Sequence, residues 1–460
     1  MTNAFTTYKR LRERADEGIH HLIDFDGSIM TDSGGYQVLE FGKVDVRPEE
    51  MARFEEQIDS DIAIVLDRPT GLNVSKSRAA LTVKETLAAA MKTKECIRIE
   101  DIAWMLPIQG GRYIDLVAQS ADKSSKLGFD GYALGSPVEV MKEYDFALLV
   151  RMIGACKSHL SPDRPFHLFG AGHPLIIPLA VALGCDLFDS ASYMLYAKQD
   201  RYISPTGTIR LEQMEFLPCV CRVCSSITAV ELKRMRSEER RITLARHNLL
   251  ILKQQIEQTK QALWEGRLWE FVQSNSRNHP RILEAFHMAC SESSTSWELG
   301  TPIFKDRGLF VFQESDTKRP EISAYREKLA NLDLREKKRL LILPDTKTKP
   351  FLASELYKEV SRIVSADDTL VTFLCPIFGL VPAELSDIFP LSQITSSIVS
   401  YPEEDPILHS KNWRTVHALV TRRQSEMEKW LEDETEGRGS NVLRNSIVIS
   451  RSYKSFKKRI

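Results

Sequence analysis

Trp104-Met105-Leu106-Pro107-Ile108 runs without a break into Gln109-Gly110-Gly111. A continuous apolar run that stops at an amide and two glycines reads as a strand covered on both faces, with its end at the polar cluster. The arrangement recurs. Ile29-Met30 leads into Thr31-Asp32-Ser33-Gly34-Gly35, Ile62-Ala63-Ile64-Val65-Leu66 into Asp67, and Gly131-Tyr132-Ala133-Leu134 into Gly135-Ser136. Phe166-His167-Leu168-Phe169 leads into Gly170-Ala171-Gly172, and Asp186-Leu187-Phe188 into Asp189-Ser190. Helical stretches, such as residues 79–91 and 138–160, lie between them. Buried strands alternating with helices predict an α/β fold of the (β/α)8 TIM-barrel type, in which the polar clusters rim the carboxyl-end mouth. Only six such units are legible, and residues 8–18 before them read as one helix. A closed barrel needs eight, so either two units are hidden in later sequence or the chain begins late.

Working outward, 460 residues are enough for two to four domains or for a large barrel plus a smaller one. Residues 241–277 read as one long helix with Leu249, Leu252, Ile256 and Leu263 at helical spacing, and a break follows around 291–296. The division expected is a catalytic barrel over 1–290, a zinc subdomain at about 216–277 within it, a C-terminal α/β domain over 297–400 and a helical, basic tail over 401–460. In the α/β domain, residues 309–312, 339–343 and 369–374 read as strands, and the Pro/Gly-punctuated 375–382 as a loop. The last twenty residues hold six Lys/Arg and no acid, as a solvated tail or an RNA phosphate contact would.

The net charge of −1 gives no global field to attract nucleic acid, so any such site must be local. The longest apolar run, 174–185, is too short to cross a bilayer, and no apolar leader opens the chain, which reads as cytoplasmic. Of eight cysteines, five are scattered among apolar residues and read as buried thiols.

The other three form Cys219-Val220-Cys221-Arg222-Val223-Cys224, with His247 following on the long helix. Three thiolates and an imidazole complete the tetrahedron that Zn2+ prefers, and four protein ligands leave no open position, so the site reads as structural. Asp32, Asp67 and Asp189 each follow a strand, where a carboxylate could simply cap the next helix. Three on one rim, with Gln109, suit glycosidic-bond chemistry instead. One carboxylate attacks or stabilises the anomeric carbon, another moves protons, and the third with the amide reads a base edge. His167 and His173 flank Phe169-Gly170-Ala171-Gly172 and read as hydrogen-bonded structural histidines. The glycines match no dinucleotide or P-loop pattern.

Taken in order, Thr31-Asp32-Ser33-Gly34-Gly35-Tyr36-Gln37, Leu66-Asp67, Ile108-Gln109-Gly110-Gly111, Phe169-Gly170-Ala171-Gly172 and the cysteine–histidine cluster resemble the tRNA-guanine transglycosylases. Phe188-Asp189-Ser190-Ala191-Ser192-Tyr193 is similar to the archaeal branch rather than the bacterial one, and the likeness covers about residues 1–400. The resemblance implies exchange of guanine in the tRNA D-arm (nucleotide 15) for 7-cyano-7-deazaguanine, without ATP or a redox cofactor. It implies that Asp189 is the nucleophile, which the residues alone leave open between Asp32 and Asp189, and that Asp32 shuttles protons. Asp67, Gln109, Ala133 and Gly135 would hold the purine. It further implies a structural zinc at Cys219, Cys221, Cys224 and His247, a homodimer, and an RNA-binding PUA domain on a separate chain. Thr2-Asn3-Ala4-Phe5 matches the family stretch just after the second strand, so the resemblance implies an open barrel that lacks the first two strands and begins with a strand near Ile29. The rivals are a non-catalytic tRNA-binding subunit and queuine-type exchange at the anticodon.

Overall fold

The computed structural model describes the chain except residues 36–45, 292–300, 303, 307, 411–412, 421–424 and 437–446. Tyr36 and Gln37, and the break expected at 291–296 beyond Ser291, lie outside the described residues. The chain divides into two compact units, Met1–Gly300 and Thr301–Ile460.

The first unit is built on a seven-stranded parallel sheet whose spatial order follows the sequence. Its strands are β1 (Thr2–Asn3), β2 (Met30–Asp32), β3 (Ile62–Ile64), β4 (Ala103–Ile108), β5 (Gly131–Leu134), β6 (Phe166–Leu168) and β7 (Leu187–Phe188). Helices such as Pro48–Gln57, Lys76–Cys96, Ile114–Ser125 and Phe146–Lys157 connect them. The core between strands and helices is apolar, with Trp104, Leu106, Ile108, Phe146, Ile153 and Phe166 all buried.

The strand count needs correction. Thr2 and Asn3 pair with Thr31 and Asp32, so the first strand is not near Ile29 and, among the described residues, this sheet has seven strands, not six. Two polar residues show no apolar run, and only the ladder with β2 makes them a strand. The expected opening stands: β1 and β7 are the two ends of the strand order and do not pair.

Other expected elements shift as well. Residues 138–160 hold two helices, Pro137–Lys142 and Phe146–Lys157, with Tyr144 between them at φ 57. The long helix runs Ser237–Trp264 and stops at Gly266, φ 66, before a separate helix Leu268–Ser276. An antiparallel pair, β8 (Arg201–Ser204) and β9 (Gly207–Arg210), lies against the long helix.

In the second unit β10 (Leu309–Val311) pairs with a later strand, and the main sheet begins with β11 (Arg339–Pro344), β12 (Thr369–Cys375) and β13 (Gly379–Pro382). The expected loop at 375–382 is in fact a hairpin in which Cys375 faces Gly379. Pro382 is tolerated because it ends the edge strand of that sheet. β14 (Ile394–Ser396) pairs with β10. The segment expected to stand apart as a tail, 401–460, supplies β15 (Thr415–Leu419), β16 (Ile447–Ser450) and the helix Tyr453–Arg459, which packs on both. The sheet order is β13-β12-β11-β15-β16. Phe351 stacks on Phe373 at 4.0 Å in its core.

Candidate functional site

A flat sheet spaces its strands about 4.8 Å apart, which would hold β2 and β7 roughly 24 Å from one another. Yet the carboxyl of Asp32, at the end of β2, lies within range of the charges on Asp189 and His167 beside β7. The sheet is therefore curled, and its carboxyl ends converge on one mouth.

Asp32 accepts hydrogen bonds from Gly34 N at 3.1 Å and from Asn3 Nδ2 at 3.2 Å. Burial holds its pKa above the usual carboxylate range, against the Gly34 N–H, and the negative charge of Asp189 adds to the rise. On the opposite face of β2, Thr31 Oγ1 donates to Glu55 Oε1 at 2.9 Å; burial pushes that carboxyl well above its ordinary value.

Asp67 and Gln109 form a second pair. Gln109, fully buried, accepts at Oε1 from Thr70 N at 2.9 Å and from Ser136 Oγ at 3.0 Å. Those two donors fix the amide, so that Nε2 faces Asp67 Oδ2 at 2.5 Å. Burial raises Asp67 to about 7, opposed by the Gln109 donor and aided by the charge of Asp32. Two glycines make room for this pair. A Cβ on Gly35 would stand 1.9 Å from Asp67 Oδ1, and one on Gly135 would stand 2.3 Å from Gln109 Nε2. Ala133 lies deeper. It is fully buried within β5, in register with Pro107 and His167, one layer below the rim that Gly135 occupies.

Asp189 is partly exposed, its side chain 22% accessible. Its Oδ1 takes Gly170 N at 2.8 Å and His167 Nε2 at 2.9 Å. The loop after it is tied back to the preceding turn: Ser190 Oγ donates to Ser192 Oγ at 2.8 Å, and Ser192 Oγ to the Gly172 carbonyl at 2.6 Å. Neither Asp67 nor Asp189 caps the helix that follows it, whose N-caps are Ser75 and Ala191, so the capping alternative fails for those two. His167 is hydrogen-bonded, as its sequence reading expects, and the structure names the partner as Asp189. The two are 22 residues apart, and only strand adjacency joins them. His173 is buried away from these carboxylates, where desolvation lowers its pKa to about 4.

The thiols and the imidazole expected to share a metal do converge. Ligand atoms of Cys219, Cys221, Cys224 and His247 lie within 4.8 Å of one another. His247 Nδ1 is 3.5 Å from Cys221 Sγ and 3.3 Å from Cys224 Sγ. His247 Nε2 is 2.8 Å from the carbonyl oxygen of Ile203, which can only accept. The proton therefore sits on Nε2, and Nδ1 turns a lone pair toward the sulfurs, as a metal ligand must. Tyr202 stacks on the imidazole at 3.8 Å. Burial pushes the Cys224 thiol up to about 12, so a cation in the cluster is what would hold it as thiolate at neutral pH. The donor set fits a metal ion with four ligands.

No helix among the described residues is long and apolar enough to cross a membrane. Residues 1–281 match the family model described as queuine tRNA-ribosyltransferase. The chain is 39% identical over 397 residues to the tRNA-guanine(15) transglycosylase of Pyrobaculum aerophilum, covering 85% of this chain and 79% of that protein. It is 36% identical over 416 residues to the protein of the same name from Sulfolobus acidocaldarius, covering 90% and 81%. With that of Methanocaldococcus jannaschii it shares 39% over 402 residues, 85% of this chain and 60% of the other. A parallel sheet whose carboxyl ends gather three aspartates, beside a cysteine–histidine cluster, thus has relatives across most of its length, and the chain belongs to the tRNA-guanine transglycosylase family.

Proposed function

We propose that this chain exchanges guanine at position 15 of tRNA for 7-cyano-7-deazaguanine, by double displacement through a covalent enzyme–tRNA intermediate. The observation that carries the reading is the approach of Asp32 to Asp189 across a curled sheet, with the Asp67–Gln109 pair beside them. A stacked base is out of reach, so the target nucleotide is unstacked into the mouth. Asp189 attacks C1′ of the ribose; the C1′–N9 bond breaks and its electron pair leaves with guanine. Asp32, held above the ordinary carboxylate range, gives the departing base its proton and takes one from the entering base. Asp67 accepts from the N–H edge of the purine, Gln109 fixes that carboxylate, and Gly135 with Ala133 leaves the space the ring fills. The ester then breaks as the new base attacks C1′.

The ion at Cys219, Cys221, Cys224 and His247 is zinc, and it pins the loop to the helix Ser237–Trp264 without taking part in the exchange. Two copies associate in the cytoplasm. The support for pairing is an exposed stripe on that helix, Ile242, Leu249 and Leu263 at intervals that are multiples of seven, followed by Trp264 at 88% exposure.

The test is incorporation of labelled guanine into unmodified tRNA. Wild-type protein should exchange it and form an adduct with tRNA that survives a denaturing gel. Asp189→Ala should form none, although tRNA binding should persist because phosphate contacts supply most affinity. Exchange at wild-type rate by Asp189→Ala would remove the double-displacement reading, and no exchange by wild-type protein would favour a binding subunit.

A further inference from the structure

In β6, His167 stands in register with Ala133 of β5 and Leu187 of β7. Residues in register on parallel strands face the same side, and Asp189, two positions beyond Leu187, faces that side too. The imidazole, 2% exposed, therefore occupies the layer beneath the mouth and reaches up to Asp189 Oδ1 at 2.9 Å. A carboxylate oxygen only accepts, so Nε2 carries the hydrogen. Nδ1 is buried with no partner, a place that suits a bare lone pair better than an N–H. The Gly170 N–H joins on the same Oδ1 at 2.8 Å, while Oδ2 meets no protein donor among the described residues. The carboxylate is thus held asymmetrically, with two donors on one oxygen and none on the other.

That asymmetry has a direction. Donors bind a charged carboxylate more strongly than the carbonyl of an ester. They fix which oxygen attacks, and they favour the state in which Asp189 has left again. We propose that His167 is a positioning residue that presents Oδ2 to the ribose and speeds release of Asp189 in the second half of the exchange. This rests on Asp189 as the nucleophile. In that half, N9 of the entering base attacks C1′ and gives its proton to Asp32. The C1′–Oδ2 bond breaks, and its electron pair returns to the carboxylate. The charge growing on Oδ1 meets the His167 Nε2–H and the Gly170 N–H, which need not move.

The experiment forms the adduct with an unmodified tRNA transcript, chases it with excess labelled guanine, and follows its decay on a denaturing gel. His167→Leu keeps bulk without a donor; His167→Gln restores an N–H at similar reach; His167→Asn is polar but too short. Adduct decay in His167→Leu and His167→Asn should slow about tenfold to a hundredfold. A larger fraction of enzyme should stand as adduct during turnover, and His167→Gln should recover most of the rate. A merely structural histidine would lose adduct formation and decay together. Decay at the wild-type rate in His167→Asn, or a smaller adduct fraction with no slowing, overturns the inference. Should His167→Leu fail to fold, the Gln and Asn pair decides alone. An adduct formed by Asp189→Ala would instead remove the nucleophile assignment, whatever the histidine variants do.

Discussion

At the scale of single residues, Asp67 joins binding to pH. Burial raises its pKa from an ordinary carboxylate value to about 7, and the purine edge assigned to it offers donors that only the ionised form accepts well. The kcat/KM for the entering base should therefore rise as pH passes upward through about 7, and Asp67→Asn should flatten that limb. A slope retained in the variant would assign it to another group. Stability runs the other way. A pKa raised on folding favours the native state below the unfolded value, and that advantage is lost as pH climbs through the folded one. Relative to wild type, Asp67→Asn should thus gain more stability at pH 8 than at pH 5, by at most about 3 kcal/mol, since roughly two pH units lie between pH 5 and the raised value. Equal differences in melting temperature at the two pH values would contradict this. Gly135→Ala makes a steric version of the same test, because its methyl group would displace the Gln109 amide. KM for guanine should rise about tenfold or more, as loss of a hydrogen bond to a charged group does, and the melting temperature should fall as well, because the methyl also overlaps the Ile108 carbonyl oxygen at 2.7 Å. The carboxylates and Gln109 were legible in sequence because each sits where an apolar run stops. His167 was not, since its partner is a neighbour in space that no local spacing reveals.

Among elements, the cysteine loop 219–224 shows how a short motif is tied to a long helix. The sulfurs come from one turn, the nitrogen from the helix Ser237–Trp264, and Asn248 on that helix accepts Ile203 N at 2.8 Å and so ties it to β8. Cys221→Ser should lower the metal content below one zinc per chain and lower the melting temperature; full zinc with an unchanged melting curve would exclude the site. In the second unit an ion cluster holds Arg319, which is fully buried, against Glu321, with Lys305 on the same carboxylate. Those cations hold Glu321 down at about 2, so its contribution is present above the ordinary carboxylate range and is lost only as pH falls toward 2. Glu321→Gln should cost on the order of 3 kcal/mol, since it leaves buried positive charge without that counter-ion. Elements were readable where composition carried a period. The two-residue β1 has none, and the hairpin at 375–382 was hidden because proline and glycine argue for a loop unless the edge position of Pro382 is known. Gly266 in a left-handed conformation ends a helix that hydrophobic spacing alone would extend.

For the whole molecule, each unit carries its own large apolar core, which predicts two unfolding events. Removing zinc with a chelator should move only the transition of Met1–Gly300, whereas Glu321→Gln should move only that of Thr301–Ile460. A single transition that both changes shift alike would mean that the units unfold as one. The seven-stranded sheet has a further consequence, since its spatial order is the order of synthesis. On the ribosome each new strand finds the edge left by the one before it, and no strand waits for a distant partner. Asp32 is made early and Asp189 last of the three, just past the final strand of the sheet. At 5–20 residues per second the interval is on the order of ten seconds. Throughout it the nascent chain holds Asp32 and the Asp67–Gln109 pair but not Asp189, so, with Asp189 as the proposed nucleophile, no covalent bond to tRNA should form before the sheet is complete.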